Sequence, residues 1–103
     1  MYYLFTTAEF DHHFKKLDPQ LQREIAKEIG QLEENPYVGK PLGYKFFREK
    51  KVKNYRVYYL IYEEYVVVFV ISISDKGEQQ KAINTIKNLI PYYQQQIRNK
   101  LNL

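Results

Sequence analysis

The sequence predicts an α+β fold, with an N-terminal strand and helical hairpin followed by an antiparallel three-strand meander and a C-terminal helix. Three observations carry this. Apolar residues repeat at helical spacing between residues 10 and 32, the period changes to that of strands between residues 44 and 73, and a helical stripe returns after residue 77. The element order is therefore β-α-α-β-β-β-α. No repeat, low-complexity tract or linker interrupts it, so residues 1–103 read as one domain, with 78–103 as a C-terminal helical extension.

Residues 2–6 are expected to form a short strand. Thr6 and Glu9 then have capping-box spacing, and Phe10, Phe14 and Leu17 follow on one helical stripe. Asp18-Pro19 breaks this helix and starts another, with Asp18 as N-cap and Pro19 at the first helical position. Leu21, Ile25, Ile29 and Leu32 carry the second stripe to Asn35-Pro36, where the backbone must leave the helix. Prolines and glycines (Pro41, Gly39 and Gly43, just after Pro36) make residues 37–43 read as a loop.

Residues 44–52, 55–62 and 65–73 are rich in β-branched and aromatic side chains and read as three strands. Lys53-Asn54 and Glu63-Glu64 fit as two-residue hairpin turns, with Asn54 suited to a positive φ. Ser74 or Asp75 can cap the last helix. Its stripe of Ala82, Ile83, Ile86, Leu89, Ile90, Tyr93 and Ile97 crosses Pro91, which reads as a kink or a restart. That stripe can fold back on the sheet or seed a homodimer, and the pattern is compatible with both.

Composition narrows the chemistry. There is no cysteine, which excludes disulfides and thiolate zinc sites. His12 and His13 are neighbours on a helix and point in different directions, so they do not make a metal pair. No metal or other cofactor is expected. The N-terminus lacks a basic start and long apolar run, and the longest apolar stretch, residues 66–71, is far short of a membrane helix. The expectation is a cytoplasmic protein with no membrane partner. A net charge of +4 suits an anionic partner, nucleic acid or an acidic protein. Eleven tyrosines suit a half-buried sheet, and a few could stack on bases.

If both turns hold two residues, the register follows by counting. Lys51 faces Arg56, Glu49 faces Tyr58 and Phe47 faces Leu60; on the next hairpin Tyr62 faces Tyr65, Tyr58 faces Phe69 and Arg56 faces Ile71. One sheet face thus gathers Lys51, Arg56, Glu49 and Tyr58. Two opposed cations are unfavourable unless a carboxylate or phosphate lies between them, and Glu49 is close enough to be that carboxylate. Lys76 follows the third meander strand at the same end. Lys45, Arg48, Lys50 and Lys53 add to a basic zone at the turn end of the meander. A solvated edge strand, whose lysines deter aggregation, accounts for the same charge.

Three segments resemble the RelE/ParE family of type II toxins. Residues 10–32 followed by Glu34-Asn35-Pro36 are similar to the family's helical hairpin and its stop, and Pro41-Leu42-Gly43 to the turn before its next strand. Lys51-Val52-Lys53-Asn54-Tyr55-Arg56-Val57-Tyr58-Tyr59 resembles its R-x-G-x-Y-R-hydrophobic run, and Val66-Val67-Val68-Phe69-Val70-Ile71 the strand that follows.

For the RelE-like branch, the resemblance implies metal-independent endonuclease cleavage of mRNA on the ribosome, restrained by a cognate antitoxin. The ribose 2′-hydroxyl attacks the adjacent phosphate, which calls for proton removal, charge neutralisation and protonation of the leaving oxygen. By resemblance, Arg56 stabilises the pentavalent phosphate, and Lys51 holds substrate phosphate or helps to remove the proton. Lys76 stands in for the basic residue after the last strand, and Tyr58 and Tyr92 are the proton-handling side chains to hand. Lys45, Arg48, Lys50 and Lys53 are expected to bind substrate.

The chain also departs from the pattern. The strand end is Ser72-Ile73-Ser74-Asp75-Lys76, without the family's arginines, and a long helix replaces its short tail. Lysine neutralises a phosphate without the bidentate fork of arginine. Two alternatives stand beside the endonuclease: a ParE-like, non-enzymatic inhibitor of a protein such as gyrase, and a catalytically silent binding module of the same fold.

Overall fold

The computed structural model describes residues 1–103. Strands β1 (Tyr3–Thr6), β2 (Lys40–Tyr44), β3 (Phe47–Val52), β4 (Tyr55–Tyr62) and β5 (Val67–Asp75) form one sheet in the order β1-β5-β4-β3-β2. β1 pairs with β5 in parallel and the other pairings are antiparallel. Helices α1 (Ala8–Lys15) and α2 (Pro19–Leu32) precede the meander, and α3 (Gln79–Asn88) and α4 (Ile90–Lys100) follow it. This is the α+β class that the sequence predicts.

The sheet carries a core on each face. Phe10, Leu21, Ile25, Ile29 and Leu32 of the first helix pair pack on Val57, Tyr59, Ile61, Val68 and Val70. Ile83, Ile86, Tyr93 and Ile97 of the second pair pack on Tyr58, Leu60, Tyr62, Phe69 and Ile71. With helices on both faces, β4 and β5 are buried along nearly their whole length, which accounts for their unbroken apolar runs. The C-terminal Ile/Leu stripe is thus folded back on its own sheet. α3 ends at Asn88 and α4 restarts at Ile90, with Pro91 in its first turn, where a missing N–H costs nothing.

Several local expectations are corrected. Thr7, not Thr6, caps α1 by accepting from the Phe10 N–H, while Thr6 donates to Asp11. The Asp18 cap stands: its carboxylate accepts from the Gln20 and Leu21 N–H groups at 3.0 and 3.1 Å. The stretch read as a loop contains β2, which makes the meander four-stranded. Its residues 45 and 46 form the turn into β3, so β3 starts at Phe47 rather than Tyr44. β2 is an edge strand, where Pro41 is tolerated, and Gly43 takes φ +91° beside a register irregularity that few other residues could occupy. In the β3–β4 turn the left-handed residue is Lys53 rather than Asn54.

The β4–β5 connection holds four residues instead of two. A short 3-10 turn over Glu63–Tyr65 ends at Val66, which takes φ 55°, a strained value for a β-branched side chain. Tyr62 therefore faces Val67. A second irregularity follows, because Tyr59 faces Val70 while Tyr58 faces Ser72, leaving Ile71 as an extra residue. The expected pairing of Arg56 with Ile71 becomes a pairing with Ser74.

Burial of tyrosines gives the fold an alkaline limit. Burial pushes the hydroxyls of Tyr37, Tyr59 and Tyr93 up to about 12, with a hydrogen bond to Glu63 adding to the effect at Tyr37, and raises that of Tyr62 as well. The fold favours the neutral phenol, so this stabilisation is complete below the ordinary tyrosine value of 10.0 and is lost as pH rises toward 12. An absorbance titration of tyrosinate followed beside circular dichroism should show these side chains ionising late, together with loss of structure. Their ionisation as ordinary exposed phenols in a folded chain would contradict it.

Candidate functional site

The β3–β4 register is the one obtained by counting. Lys51 faces Arg56, Glu49 faces Tyr58 and Phe47 faces Leu60. Arg56 and Glu49 lie on the face covered by α3 and α4, beyond the edge of its apolar core. Arg56 is 8% exposed and Glu49 6%, so both charges are largely withdrawn from water. The Arg56 Nε sits 3.4 Å from Glu49 Oε2, and its Nη1 donates to the Tyr55 carbonyl at 3.3 Å. Nη2 has no protein acceptor. Gln79, the first residue of α3, donates from Nε2 to both Glu49 oxygens at 2.9 and 3.0 Å. The carboxylate is thereby fixed from β4 and from α3 at once.

A surface depression of about 450 Å³ opens over this group, lined by Gly39, Lys40, Glu49, Lys51, Arg56 and Gln79 among others. Lys40 reaches it because β2 pairs with β3 there, directly opposite Glu49. Lys50 also lines the depression while pairing with Glu28, so four cationic side chains and one carboxylate share it, an excess of positive charge suited to an anionic ligand.

The other residues singled out from the sequence are placed as follows. Tyr58 is fully buried beneath the site, its hydroxyl 2.7 Å from Ser74 Oγ, and burial raises its pKa. Lys76 begins the 3-10 turn after β5, at the same sheet end as Arg56. Lys50 and Lys53 turn to α2, pairing with Glu28 at 3.8 Å and Glu24 at 3.1 Å. Arg48 donates to the carbonyls of Lys45, Tyr37 and Gly39 and so ties β3 to the chain before β2. Lys45 lies in the β2–β3 turn, over the Tyr37 ring at 5.4 Å, at the far end of β3 from Lys51. The single basic zone expected at the turn end is therefore divided. Tyr92 is exposed on α4, bonded to Gln96.

Sequence reasoning missed Lys40, Gln79 and Ser74. Lys40 was hidden by reading its strand as a loop, and Ser74 by the two register changes. Gln79 at the start of a helix carries no pattern that points across the fold to Glu49.

The model for the ParE toxin of the type II toxin–antitoxin system parDE matches residues 5–80. The chain belongs to this family. Within the RelE/ParE superfamily, it is similar to the toxin of the intact E. coli RelBE toxin–antitoxin complex, with 26% identity and a TM-score of 0.67, covering 73% of this chain and 96% of that one. The isolated E. coli RelE toxin matches at 25% identity and a TM-score of 0.67, covering 84% of this chain and 99% of that one. The RelBE2 toxin–antitoxin complex of Mycobacterium tuberculosis shares the fold at 24% identity, with a TM-score of 0.65 and coverages of 73% and 98%. No curated protein matches the chain by sequence. As a RelE/ParE-type toxin, this chain carries most of α3 and all of α4 beyond the stretch its family model describes. No helix is long and apolar enough to cross a membrane.

Proposed function

We propose that this toxin cleaves mRNA on the ribosome, without a metal, by attack of a ribose 2′-hydroxyl on the adjacent phosphate, and that a cognate antitoxin restrains it. The observation that carries the reading is the depression in which Lys40, Lys51 and Arg56 converge. Arg56 presents its free Nη2 to a phosphate oxygen, and Lys51, exposed on the facing strand, serves the same phosphate or the departing oxygen. Lys76 extends the positive field along incoming RNA. Lys45, Arg48, Lys50 and Lys53 hold α2, the β2 edge and the turns in place, and touch RNA only at the rim of the site. The reading takes residues 1–103 as a single, cytoplasmic toxin domain with 78–103 as its helical extension. The E. coli and Mycobacterium tuberculosis relatives were solved as toxin–antitoxin complexes, and the antitoxin of this chain is inferred by that likeness.

A second reading has its own support. The family model is that of ParE, the end of β5 offers Ser72, Ser74 and Asp75 rather than arginines, and Glu49 already neutralises part of the Arg56 charge. This favours a non-enzymatic inhibitor of a protein target such as gyrase. Inducible expression in cells with mapping of mRNA 5′ ends separates the two. New cuts that depend on translating ribosomes are the expected result. Arrest without cuts would transfer the function to a protein target, and a folded chain without arrest would leave a silent binding module.

A further inference from the structure

Attack by a ribose 2′-hydroxyl needs a group to take its proton. Around Arg56 the choice is narrow. Lysine and arginine side chains carry donors and no acceptor, and they serve the depression as cations. The Tyr58 side chain lies on the same sheet face but is fully buried, with its hydroxyl bonded to Ser74. The imidazoles of His12 and His13 belong to α1, whose core residue Phe10 packs on the opposite face. The Asp75 carboxylate accepts from the Glu78 N–H at the start of the last helical segment. Glu49 is the carboxylate that lines the depression.

We propose that Glu49 is the general base of this toxin, with Gln79 as the residue that positions it. The inference rests on the ribonuclease reading above. Arg56 Nε lies against Oε2, whereas Oε1 has only the Gln79 amide. Each carboxylate oxygen has two lone-pair sites, so Oε1 keeps one for a substrate proton. Side-chain freedom, which would otherwise spread this oxygen over several positions, is removed by contacts from β4 and α3.

In the reaction the 2′-hydroxyl proton passes to Glu49 Oε1 as the 2′-oxygen bonds to phosphorus. The bond from phosphorus to the 5′-oxygen breaks, and that oxygen takes a proton from the Lys51 ammonium. The products are a 2′,3′-cyclic phosphate and a 5′-hydroxyl. Glu49 is left neutral and protonated and Lys51 neutral, and both return to their starting forms by exchange with water. Arg56 stabilises the charge on phosphorus throughout, and its partner Glu49 loses its own charge as that charge develops. The ion pair that occupies Arg56 at rest is therefore released by the proton transfer itself.

The groups that surround Glu49 and can shape its titration are Lys40 on β2, Lys51 on β3, Arg56 and Tyr58 on β4 and, beyond the strand end, Asp75. All of them are retained in the test. Single-turnover cleavage of a defined mRNA on purified ribosomes is measured from about pH 5 to 9 for the full chain, Glu49→Gln and Glu49→Asp, with thermal unfolding of each. The amide of Glu49→Gln keeps the size of the side chain and accepts from Gln79, but takes no proton. Its rate is expected to fall about a hundredfold and its acid limb to vanish, while Glu49→Asp retains that limb.

Cleavage by folded Glu49→Gln at the wild-type rate, or with an unchanged acid limb, overturns the proposal. If Glu49→Gln does not fold, the wild type and Glu49→Asp decide, and a flat acid side in both overturns it. A wild type that cuts no RNA removes the ribonuclease reading and the role of Glu49 with it, a failure distinct from cleavage that ignores Glu49.

Discussion

Arg56→Ala is expected to abolish growth arrest and to lower cleavage of ribosome-bound mRNA by about a thousandfold. A preorganised donor aimed at developing charge is worth roughly two to three powers of ten in rate. Here it is the only guanidinium lining the depression, and its Nη2 group has no protein acceptor to compete with substrate. Measurement is direct: growth after induction, and the yield of new 5′ ends. Survival of full arrest in the variant would remove RNA cleavage as the toxic event and favour a protein target.

The alanine variant carries a second effect that must be separated from the first. Glu49 is 6% exposed, and losing Arg56 leaves its carboxylate buried with only the Gln79 amide against it. Removing one partner of a buried ion pair costs about 3–5 kcal/mol, a large share of the stability of a small domain. Arg56→Lys resolves this. A lysine keeps a cation beside Glu49, so the urea midpoint should stay near that of the wild type, but it cannot replace the planar fork that holds Glu49 and phosphate together. A folded Arg56→Lys protein with cleavage lowered at least tenfold assigns the defect to chemistry. Equal loss of stability and activity would assign it to folding.

How legible this was in the sequence differs by element. The helical hairpin was plain, because Leu21, Ile25, Ile29 and Leu32 are all buried on one stripe and Asp18 caps it. The β3–β4 pairing was countable because its turn holds two residues, and that counting put Lys51, Glu49 and Arg56 together. The β4–β5 pairing was not, because a two-residue turn and a four-residue turn leave similar sequence traces around Glu63-Glu64. Nor does an alternating strand announce where one residue bulges, as Ile71 does. The two irregularities together bring Ser74 to Arg56 in place of Ile71. β2 escaped for another reason. Prolines and glycines argue against a strand in general, yet an edge strand needs hydrogen bonds on one side only, and Pro41 and Gly43 fit there. Lys40 and Gln79 were unreadable because their partnership with Glu49 is made by tertiary packing of distant segments.

Gly39→Ala is expected to destabilise the protein strongly. A Cβ at this position would lie 2.7 Å from the Glu49 carbonyl oxygen, and closer still to the Tyr59 hydroxyl. Neither neighbour can yield freely. Tyr59 is fully buried, donating to the Pro36 carbonyl at 2.6 Å and accepting from the Gly39 N–H at 3.1 Å, and the Glu49 carbonyl belongs to the β3 backbone. Overpacking costs about 1–3 kcal/mol, and freeing buried hydrogen-bonding groups costs about 1–3 kcal/mol each. A loss of about 3–5 kcal/mol in urea unfolding is expected from these two terms.

Tyr59→Phe provides the internal check. By itself it leaves the Pro36 carbonyl and Gly39 N–H without their partner and destabilises the fold. Combined with Gly39→Ala it removes the closest clash, so the double variant should be more stable than the sum of the two losses predicts. Rescue stays partial, because the contact with the Glu49 carbonyl remains. That remaining contact reaches the site: β3 must shift at Glu49, between Lys40 on one side and Tyr58 on the other. The double variant is therefore expected to regain stability without regaining full cleavage. Strict additivity of the two substitutions would show that Gly39 and Tyr59 do not meet as described.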